Sequence, residues 1–476
     1  MRPFRIYISA AIAFWAAGCS VVTHYPQRTR CAQDLFQRLE FERAADEFER
    51  RSSDLDRLCY NFERATSYQA AGRFVRSNEI FVDAFQDIEG FDSRALISVR
   101  DSSAFLGTLL INEKAAPYRG EPFERIYVHT LSALNYLLLG DKGAARVEIR
   151  RAYNRQTQER LAHQEEYNEA LRKSRAYGVY YPSALNTVRC AYEDGRTLAR
   201  VNVFQDAFSY YVSSLVYEML GEYNEALIDA KKMLVLRPGS RLAREQVARC
   251  VQQAPQLGDG TTRAYADVQL PQSGQGQVVV LMACGLAPVK IERSIQLPVP
   301  TGRGLTYNKV AFPAYHTRDN PVAMARVSVA GRVFGVTEVL SDVERKARAN
   351  LWQRLPTLVM KSLLRAAVRY GAQKALLDSG HQRDRPLRQA AAMGLGLVGA
   401  AVEQADLRSW LTLPRSFQAV RGIAPAGRHG MTVELVDRNG RPQKAILEPV
   451  EIREGRITVV FLRIIGTRMV IHSRSL

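Results

Sequence analysis

The sequence predicts an α-helical repeat region followed by a mixed α and β region. Three observations lead to this prediction. Between residues 29 and 254, apolar residues recur at helical spacing around a repeated motif. Between residues 277 and 476, apolar runs of strand length are separated by glycine-containing turns. Residues 255–276 between them are rich in Gly, Gln, Thr and Pro, and helical periodicity stops there, which indicates a linker.

The repeated motif begins with a small or apolar residue and continues with an aromatic residue, a small residue and a second aromatic residue. Its first two starts, Leu39 and Gly72, are 33 residues apart, and the next start, Gly140, follows after 68 residues. Glycine at the start favours the positive φ that ends a first helix, and Pro238 stops the last second helix. The residues that define the repeat are Gly72, Phe74, Gly140, Ala145, Gly221, Tyr223, Ala226 and Pro238.

Residues Gly221–Leu227, closing on Leu236-Arg-Pro238, resemble the second half of a tetratricopeptide repeat. The resemblance implies pairs of helices that stack into a curved solenoid, because one repeat cannot cover its own apolar face. It also implies a concave face that binds peptides. The sequence departs from the pattern at Lys142, where an aromatic residue belongs, and at residues 156–200, where the period breaks.

The irregular insertion at 156–200 has two parts. Its first part, Gln156 to Arg175, is charged and helix-forming, and its second part is rich in tyrosine. We consider two interpretations of the second part: a loop that lines the concave face and binds a partner, or an insertion that packs against the edge of the repeats. The partner-binding candidates in it are Tyr177, Tyr180 and Tyr181.

The carboxy-terminal region begins with strands and ends with strands. Ser341-Asp-Val-Glu344 has the spacing of a capping box, which predicts a helix that Pro356 breaks into 341–355 and 357–378. The turns Asn439-Gly440 and Glu454-Gly455 predict hairpins in an antiparallel terminal sheet. Residues 298–321 are predicted as a loop. The predicted strands are Gln277–Cys284, Val289–Val299, Ala325–Val329, Met431–Val436, Gln443–Val450, Ile457–Ile464 and Met469–His472.

The first residues have the pattern of an export signal. Arg2 and Arg5 precede an apolar run, Ile6 to Ala17, which is too short to span a membrane. The residues Ala16-Ala-Gly-Cys19 resemble the lipobox of bacterial lipoproteins, which implies a signal peptide at 1–18, lipidation of Cys19 and a tether at 19–28. The alternative is an ordinary secretory signal with a chance cysteine. Ser20 favours retention at the outer membrane, facing the periplasm.

Charge and cysteine content narrow the choice of partners. The formal net charge is +18, and since export excludes nucleic acid, the remaining anionic partners are lipid, cell wall and acidic proteins. The alternative is that the charge serves solubility. Five cysteines besides Cys19 lack C-x-x-C spacing, so no zinc or redox site is indicated. Cys31 with Cys59 and Cys190 with Cys250 are plausible disulfides, which leaves Cys284 as the odd thiol.

Four segments carry a wider resemblance. They are Tyr118–Arg125, Leu134–Tyr136, Val278–Leu281 with Ala287–Val289, and Ala405–Pro414. Together they resemble a bacterial family of envelope lipoproteins with amino-terminal tetratricopeptide-like repeats and no settled biochemical function. The resemblance implies the architecture and the location, and it supplies no catalytic residue and no cofactor.

The chemistry visible in the sequence is limited. Gly394–Gly399 has the spacing of a dinucleotide-binding loop without the surrounding βαβ unit, and close helix packing or lipid contact explains it better. No histidine has metal-ligand spacing. Asp406, Arg408 and Trp410 form the densest polar and aromatic cluster. In a structural interpretation, Arg408 pairs with Asp406 and Trp410 is buried against the sheet. The alternatives are a partner-recognition patch and a hydrolytic carboxylate site.

Two functions from different classes follow. The first is a non-enzymatic scaffold or adaptor, lipid-anchored at the outer membrane, for periplasmic or outer-membrane proteins of cell-envelope assembly. The second is an envelope enzyme that acts on cell wall or lipid through the carboxy-terminal region. Direct binding of anionic lipid by the basic surface is a third hypothesis.

Overall fold

A computed structural model describes residues 24–98, 114, 116–179, 182–192, 195–258, 268–301, 304–378 and 404–476. Cys19, Tyr180, Tyr181 and Gly394–Gly399 lie outside the described residues. Helices fill the first half of the chain, and strands with one long helix fill the second half, which confirms the α+β class. Within the described residues, no helix is both long enough and apolar enough to cross a membrane.

Most helices of the helical region contact the next helix in chain order, whereas the short helices Pro182–Cys190 and Gly195–Leu198 contact the long helix Val343–Asp378. The helices of this region are α1 Tyr25–Arg28, α2 Arg30–Gln37, α3 Phe41–Arg50, α4 Arg57–Ala70, α5 Phe74–Ser98, α6 Pro122–Leu139, α7 Lys142–Ala176, α8 Pro182–Cys190, α9 Gly195–Leu198, α10 Ala207–Met219, α11 Tyr223–Leu236 and α12 Arg241–Gln253. A 3₁₀ turn at Pro255–Leu257 follows. The curvature of a full solenoid stays a prediction.

The four motif starts share one backbone conformation. Leu39, Gly72, Gly140 and Gly221 have φ values of 68°, 77°, 91° and 76°. Each lies between two helices, and a left-handed residue at this position lets the chain reverse after the first helix ends. Glycine adopts this conformation without a steric cost, which explains why the motif starts with glycine at Gly72, Gly140 and Gly221, as predicted.

The strands form three sheets. Their bounds are β1 Gln275–Cys284, β2 Val289–Thr301, β3 Gly304–His316, β4 Met324–Val329, β5 Arg332–Val336, β6 Glu338–Asp342, β7 Ser416–Pro425, β8 Gly427–Val436, β9 Pro442–Ile452, β10 Ile457–Ile465 and β11 Arg468–Ser475. The sheets have the orders β11-β10-β1-β7-β6, β2-β3 and β5-β4-β8-β9. The long helix α13, Val343–Asp378, follows β6.

Strand β1 is buried on both faces and separates two hydrophobic cores. Val279, Leu281 and Ala283 belong to the larger core, which also contains the apolar faces of the helices. Val278, Val280 and Met282 point to the other side and pack with the four-stranded sheet. Side chains alternate across a strand, so one apolar run serves both cores. The helical region and the carboxy-terminal region therefore share one core.

Several predictions for the carboxy-terminal region were wrong. The terminal sheet is mixed, because β10 pairs in parallel with β1 and antiparallel with β11. The loop predicted at 298–321 contains the whole of β3, which pairs with β2. The Glu454-Gly455 turn joins strands of different sheets, so it does not close a hairpin.

Helix α13 also differs from its prediction. It is one continuous helix with Pro356 inside it. Leu355 and Val359 on either side are buried in the larger core, and this packing holds the helix together although Pro356 lacks an N–H donor. Its first turn is capped by Asp342, whose carboxylate accepts from the Arg345 amide at 2.9 Å, and not by Ser341.

The predicted disulfides are also wrong. Cys31, Cys59, Cys190, Cys250 and Cys284 are all free thiols, and Cys31 and Cys190 are exposed while the other three are buried.

Gly72 provides a test of the contact between the helical turns and β11. A Cβ atom added at Gly72 would lie 2.7 Å from Cε1 of His472, whereas a Cβ at Gly221 meets nothing within 4 Å. Both positions have positive φ, which alone costs about 1 kcal/mol for alanine. We therefore expect Gly72→Ala to lower the free energy of unfolding by about 2 kcal/mol more than Gly221→Ala in urea titrations. Equal losses in the two variants would contradict the contact with His472.

Candidate functional site

The inner face of the helical region is formed by α4, α6 and α10, and it is covered by the carboxy-terminal region. Phe417 of β7 packs on Phe208 of α10 with 4.5 Å between ring centroids, and on Tyr127 of α6 with 5.0 Å. His472 Nε2 of β11 lies 3.1 Å from the carbonyl oxygen of Ala70 at the end of α4. The open concave face expected from the sequence is thus occupied by the chain itself. This corrects the expectation of a free peptide groove there.

An irregular segment, Gln404–Leu413, which ends in a turn at Leu411 and Thr412, lies across α4 and α6, and we call it the docked segment. Its central side chain is Trp410, which is 1% exposed. The indole stacks on Phe62 of α4 with a centroid distance of 4.6 Å, and its Nε1 donates to Thr66 Oγ1 at 2.8 Å. Phe81 of α5 closes the slot at 6.1 Å. The slot therefore matches an indole in both shape and hydrogen bonding.

Two buried carboxylates hold the backbone of the docked segment. The Glu63 carboxylate of α4 accepts from the amides of Leu411 and Thr412 at 2.6 and 2.8 Å, and also from the Thr412 hydroxyl. The Glu124 carboxylate of α6 accepts from the Trp410 amide at 2.7 Å. A buried segment outside helices and sheets leaves its amides without the regular backbone acceptors, so these carboxylates supply the acceptors instead.

Asp406 and Arg408 fix the start of the docked segment. The Arg408 guanidinium donates to Asp406 at 2.8 Å, to Asp56 of the helical region at 3.1 Å, and to the carbonyl oxygens of Leu55 and Ala116. Its side chain is 4% exposed. The carboxylates of Asp406 and Asp56 hold the pKa of Arg408 above its usual value against the opposing effect of burial. The Arg408 guanidinium therefore links the helical region to the carboxy-terminal region.

The two carboxylates differ from ordinary glutamates in their proton affinity. Burial away from water raises the pKa of Glu63 from 4.5 to about 7. Burial, together with the nearby negative charge of Glu121, raises the pKa of Glu124 to about 7. The neighbouring Glu121 shows the opposite behaviour, since Lys290 and Arg354 lower its pKa to about 2 in spite of burial.

Further buried ion pairs join the two regions around the docked segment. Each pairs a carboxylate of the helical region with a cation of the carboxy-terminal region. They are Asp206 with Lys346 at 2.6 Å, Glu218 with Arg421 at 2.6 Å, Glu121 with Arg354 at 2.9 Å, and Glu121 with Lys290.

The structure places the predicted site residues in different environments. Arg408 pairs with Asp406, as the structural interpretation proposes, but Trp410 is buried against the helices and not against the sheet. Burial of Arg408 and Trp410 corrects the hypothesis that they form an exposed recognition patch. Tyr177 follows α7 and is 49% exposed. The first part of the insertion continues α7 to Ala176. Within it, the Glu166 carboxylate accepts from Lys361 of α13 at 2.6 Å, so this part packs against the carboxy-terminal region.

Sequence reasoning missed Glu63 and Glu124. The available signal was a carboxylate at a position that helical spacing assigns to the buried face, such as Glu63 beside Phe62 and Thr66. A buried carboxylate requires hydrogen-bond donors, so such a position predicts a partner from elsewhere in the chain. No group of His, Cys, Asp and Glu in the described ranges has an arrangement that holds a metal ion.

A shallow cleft lies elsewhere, between α12 and strands β5 to β7. Its polar lining includes Arg241, Glu245 and Glu338. Arg241 and Glu245 pair with each other at 3.0 Å, and Glu338 accepts from the Leu242 amide near the start of α12 at 3.1 Å. These polar groups are thus engaged in local structural contacts.

The comparisons with known proteins give little. No family model matches the chain, and no curated protein matches it. Among solved structures, the TPR2AB-domain:pHSP90 complex of yeast Sti1 is similar over 48% of this chain and 84% of that chain, with 15% identity and a TM-score of 0.19.

Trp410 offers a test of the docked segment. We expect Trp410→Ala to lower the free energy of unfolding by about 3–5 kcal/mol, because it empties a buried aromatic slot. Trp410→Phe keeps a ring on Phe62 but loses the bond to Thr66, so a loss of about 1–2 kcal/mol is expected. Urea unfolding, followed by circular dichroism, measures both. Losses below 1 kcal/mol for the alanine variant would show that the segment does not contribute to the core.

The raised pKa of Glu63 predicts a pH-dependent stability difference. Its folded-state pKa of about 7 lies above the unfolded value of 4.5, so the folded state gains protons, and its stability falls as pH rises through this window. Glu63→Gln removes the titration. The stability of the wild type relative to this variant should therefore drop between pH 5 and pH 8, by up to about 3 kcal/mol.

Glu218→Gln is the matched control, because Arg421 lowers the pKa of the buried Glu218, so its titration lies below pH 4.5, and its titratable neighbours Tyr211 and Cys250 have pKa values raised to about 12, outside the range tested. Its stability difference from the wild type should stay constant between pH 5 and pH 8. Comparing each variant with the wild type at the same pH cancels the titration of the histidines. A Glu63→Gln difference that is constant or grows with pH would refute a raised pKa.

Proposed function

We propose that this chain is a lipid-anchored scaffold of the bacterial outer membrane that holds protein partners of cell-envelope assembly on the periplasmic side. The observation that carries the proposal is the distribution of exposed apolar side chains. Seven of the 15 exposed large apolar side chains in the described part of the chain lie on α5, α7 and α11. These seven are Val75, Val82, Val147, Tyr153, Leu161, Ile228 and Val235.

Apolar side chains grouped on one surface are typical of sites that bind other proteins. Helices α5, α7 and α11 each follow an inner-face helix. Helices α5 and α11 and the first two-thirds of α7 lie behind α4, α6 and α10 as seen from the carboxy-terminal region, while the rest of α7 packs against α13. Since the carboxy-terminal region covers the inner face, these outer helices form the surface of the helical region that a partner can reach. We call the exposed surface of α5, α11 and the first two-thirds of α7, Lys142 to Gln164, the outer face.

A lipid anchor on Cys19 would place the folded protein close to the membrane. Five residues, Cys19 to Thr23, precede His24, and an extended chain of this length spans about 17 Å. Tyr25 is buried and packs on Tyr60 with 5.3 Å between ring centroids, so the tether ends in the core. Acyl chains on Cys19 would hold the folded body beside the bilayer.

Lipidation is tested by expressing the full chain in a Gram-negative host with radiolabelled palmitate. We expect label in the mature protein and recovery in the outer-membrane fraction. Cys19→Ala should abolish both, and Cys31→Ala, which changes an exposed thiol near the tether, should leave both unchanged. A wild-type protein that is exported without label would refute the anchor and support an ordinary secretory signal. Cross-linking in labelled cells should then identify envelope-assembly proteins bound to the wild type.

A further inference from the structure

Helix α7 is the central ridge of the outer face. On one side, the Arg151 guanidinium lies 5.1 Å from the Phe85 ring centroid of α5. On the other side, Arg146 pairs with Glu222 at the start of α11 at 3.0 Å, and Lys232 Nζ lies 4.2 Å from the Tyr153 ring centroid. The three helices are thus neighbours, and α7 lies between the other two.

The exposed charge on the first two-thirds of this ridge has one sign. From Lys142 to Gln164, the chain has two carboxylates, Glu148 and Glu159, and both are buried. Glu148 binds His129 and Arg151, and Glu159 binds Arg125. The exposed cations on the same stretch are Arg146, Arg150, Arg151 and Arg160. Arg150 and Arg160 have no carboxylate partner within the described ranges.

Apolar side chains are interleaved with these cations. Val147 is 49% exposed, Tyr153 is 45% exposed and Leu161 is 57% exposed. A helix rises 1.5 Å per residue, so the ridge from Arg146 to Leu161 is about 23 Å long. A surface with this combination is complementary to an amphipathic segment that carries carboxylates beside apolar side chains.

We propose that the α7 ridge binds an acidic amphipathic helix of about 15 residues from a protein partner. The proposal rests on the scaffold function proposed above and names the surface and the chemistry of its partner. An anionic bilayer fits less well, because α5 exposes carboxylates beside the ridge. Glu79 pairs with Arg76 and Glu89 with Arg155, but Asp83 has no ion-pair partner in the described part of the chain and would repel a uniformly negative surface. A single helix can lie along α7 without meeting these carboxylates.

The test uses the purified mature chain and a fluorescent 18-residue peptide with glutamates on one helical face and leucines on the other. Fluorescence anisotropy measures the dissociation constant. Arg150→Glu with Arg160→Glu reverses the two unpaired cations and should weaken binding at least about tenfold. The matched control, Arg438→Glu with Arg441→Glu, makes the same charge change at the exposed turn between β8 and β9 and should leave the dissociation constant within about twofold.

Two additional arms separate the alternatives. A peptide with lysines in place of the glutamates should not bind, and a photo-crosslinker in the glutamate peptide should label α7 or α11. Equal weakening in the two double variants, or label elsewhere, would overturn the proposal. Flotation with phosphatidylglycerol vesicles that depends on Arg150 and Arg160, without peptide binding, would assign the ridge to the membrane and also overturn it. Loss of palmitate labelling has no bearing on this binding, so the two proposals fail separately.

Discussion

The structure depends on supplying hydrogen-bond partners to the backbone of the docked segment, which is buried in the core without belonging to a helix or a sheet. The docked segment has no neighbouring strand, and a buried amide without an acceptor costs about 1–3 kcal/mol. Glu63 and Glu124 supply acceptors to three consecutive amides, from Trp410 to Thr412. On the carbonyl side, Arg318 donates to Leu411 and Arg463 donates to Thr412, both at 3.0 Å. These contacts fix where Trp410 enters the helices, and hence how the helical region meets the sheet.

This arrangement changes what covers the helices. In a stack of helical repeats, each repeat buries its apolar face against the next. Here the inner helices α4, α6 and α10 also bury apolar residues against the carboxy-terminal region, and both contribute to the larger core. Ion pairs such as Glu218 with Arg421 add hydrogen bonds between the same surfaces. Removing one partner of such a pair would leave a buried charge, so the interface resists partial opening.

The sequence predicted those features that depend on neighbouring residues. The positive φ at Gly72, Gly140 and Gly221 follows from a local need to reverse the chain, and β1 follows from an apolar run of strand length. The parallel pairing of β1 with β10 and the contact of Glu63 with Thr412 join residues that are far apart in the chain. Glu63 and Thr412 are separated by 349 positions, and no local pattern encodes that contact. Trp410 was recognised as unusual, but its position next to Phe62 depends on the whole fold.

Burial also changes the meaning of the net charge. The formal value of +18 counts arginines that never reach the surface. Arg421 is fully buried with Glu218, and Arg463 is bound by the carbonyl oxygens of Ala283, Gly285 and Ile464. Since buried cations do not attract a partner by contact, the composition alone says little about where anions bind. The first part of α7 differs because its two carboxylates are buried while four of its five arginines are exposed, Arg155 being the buried one. The proposed binding of an acidic helix rests on this local separation and not on the total charge.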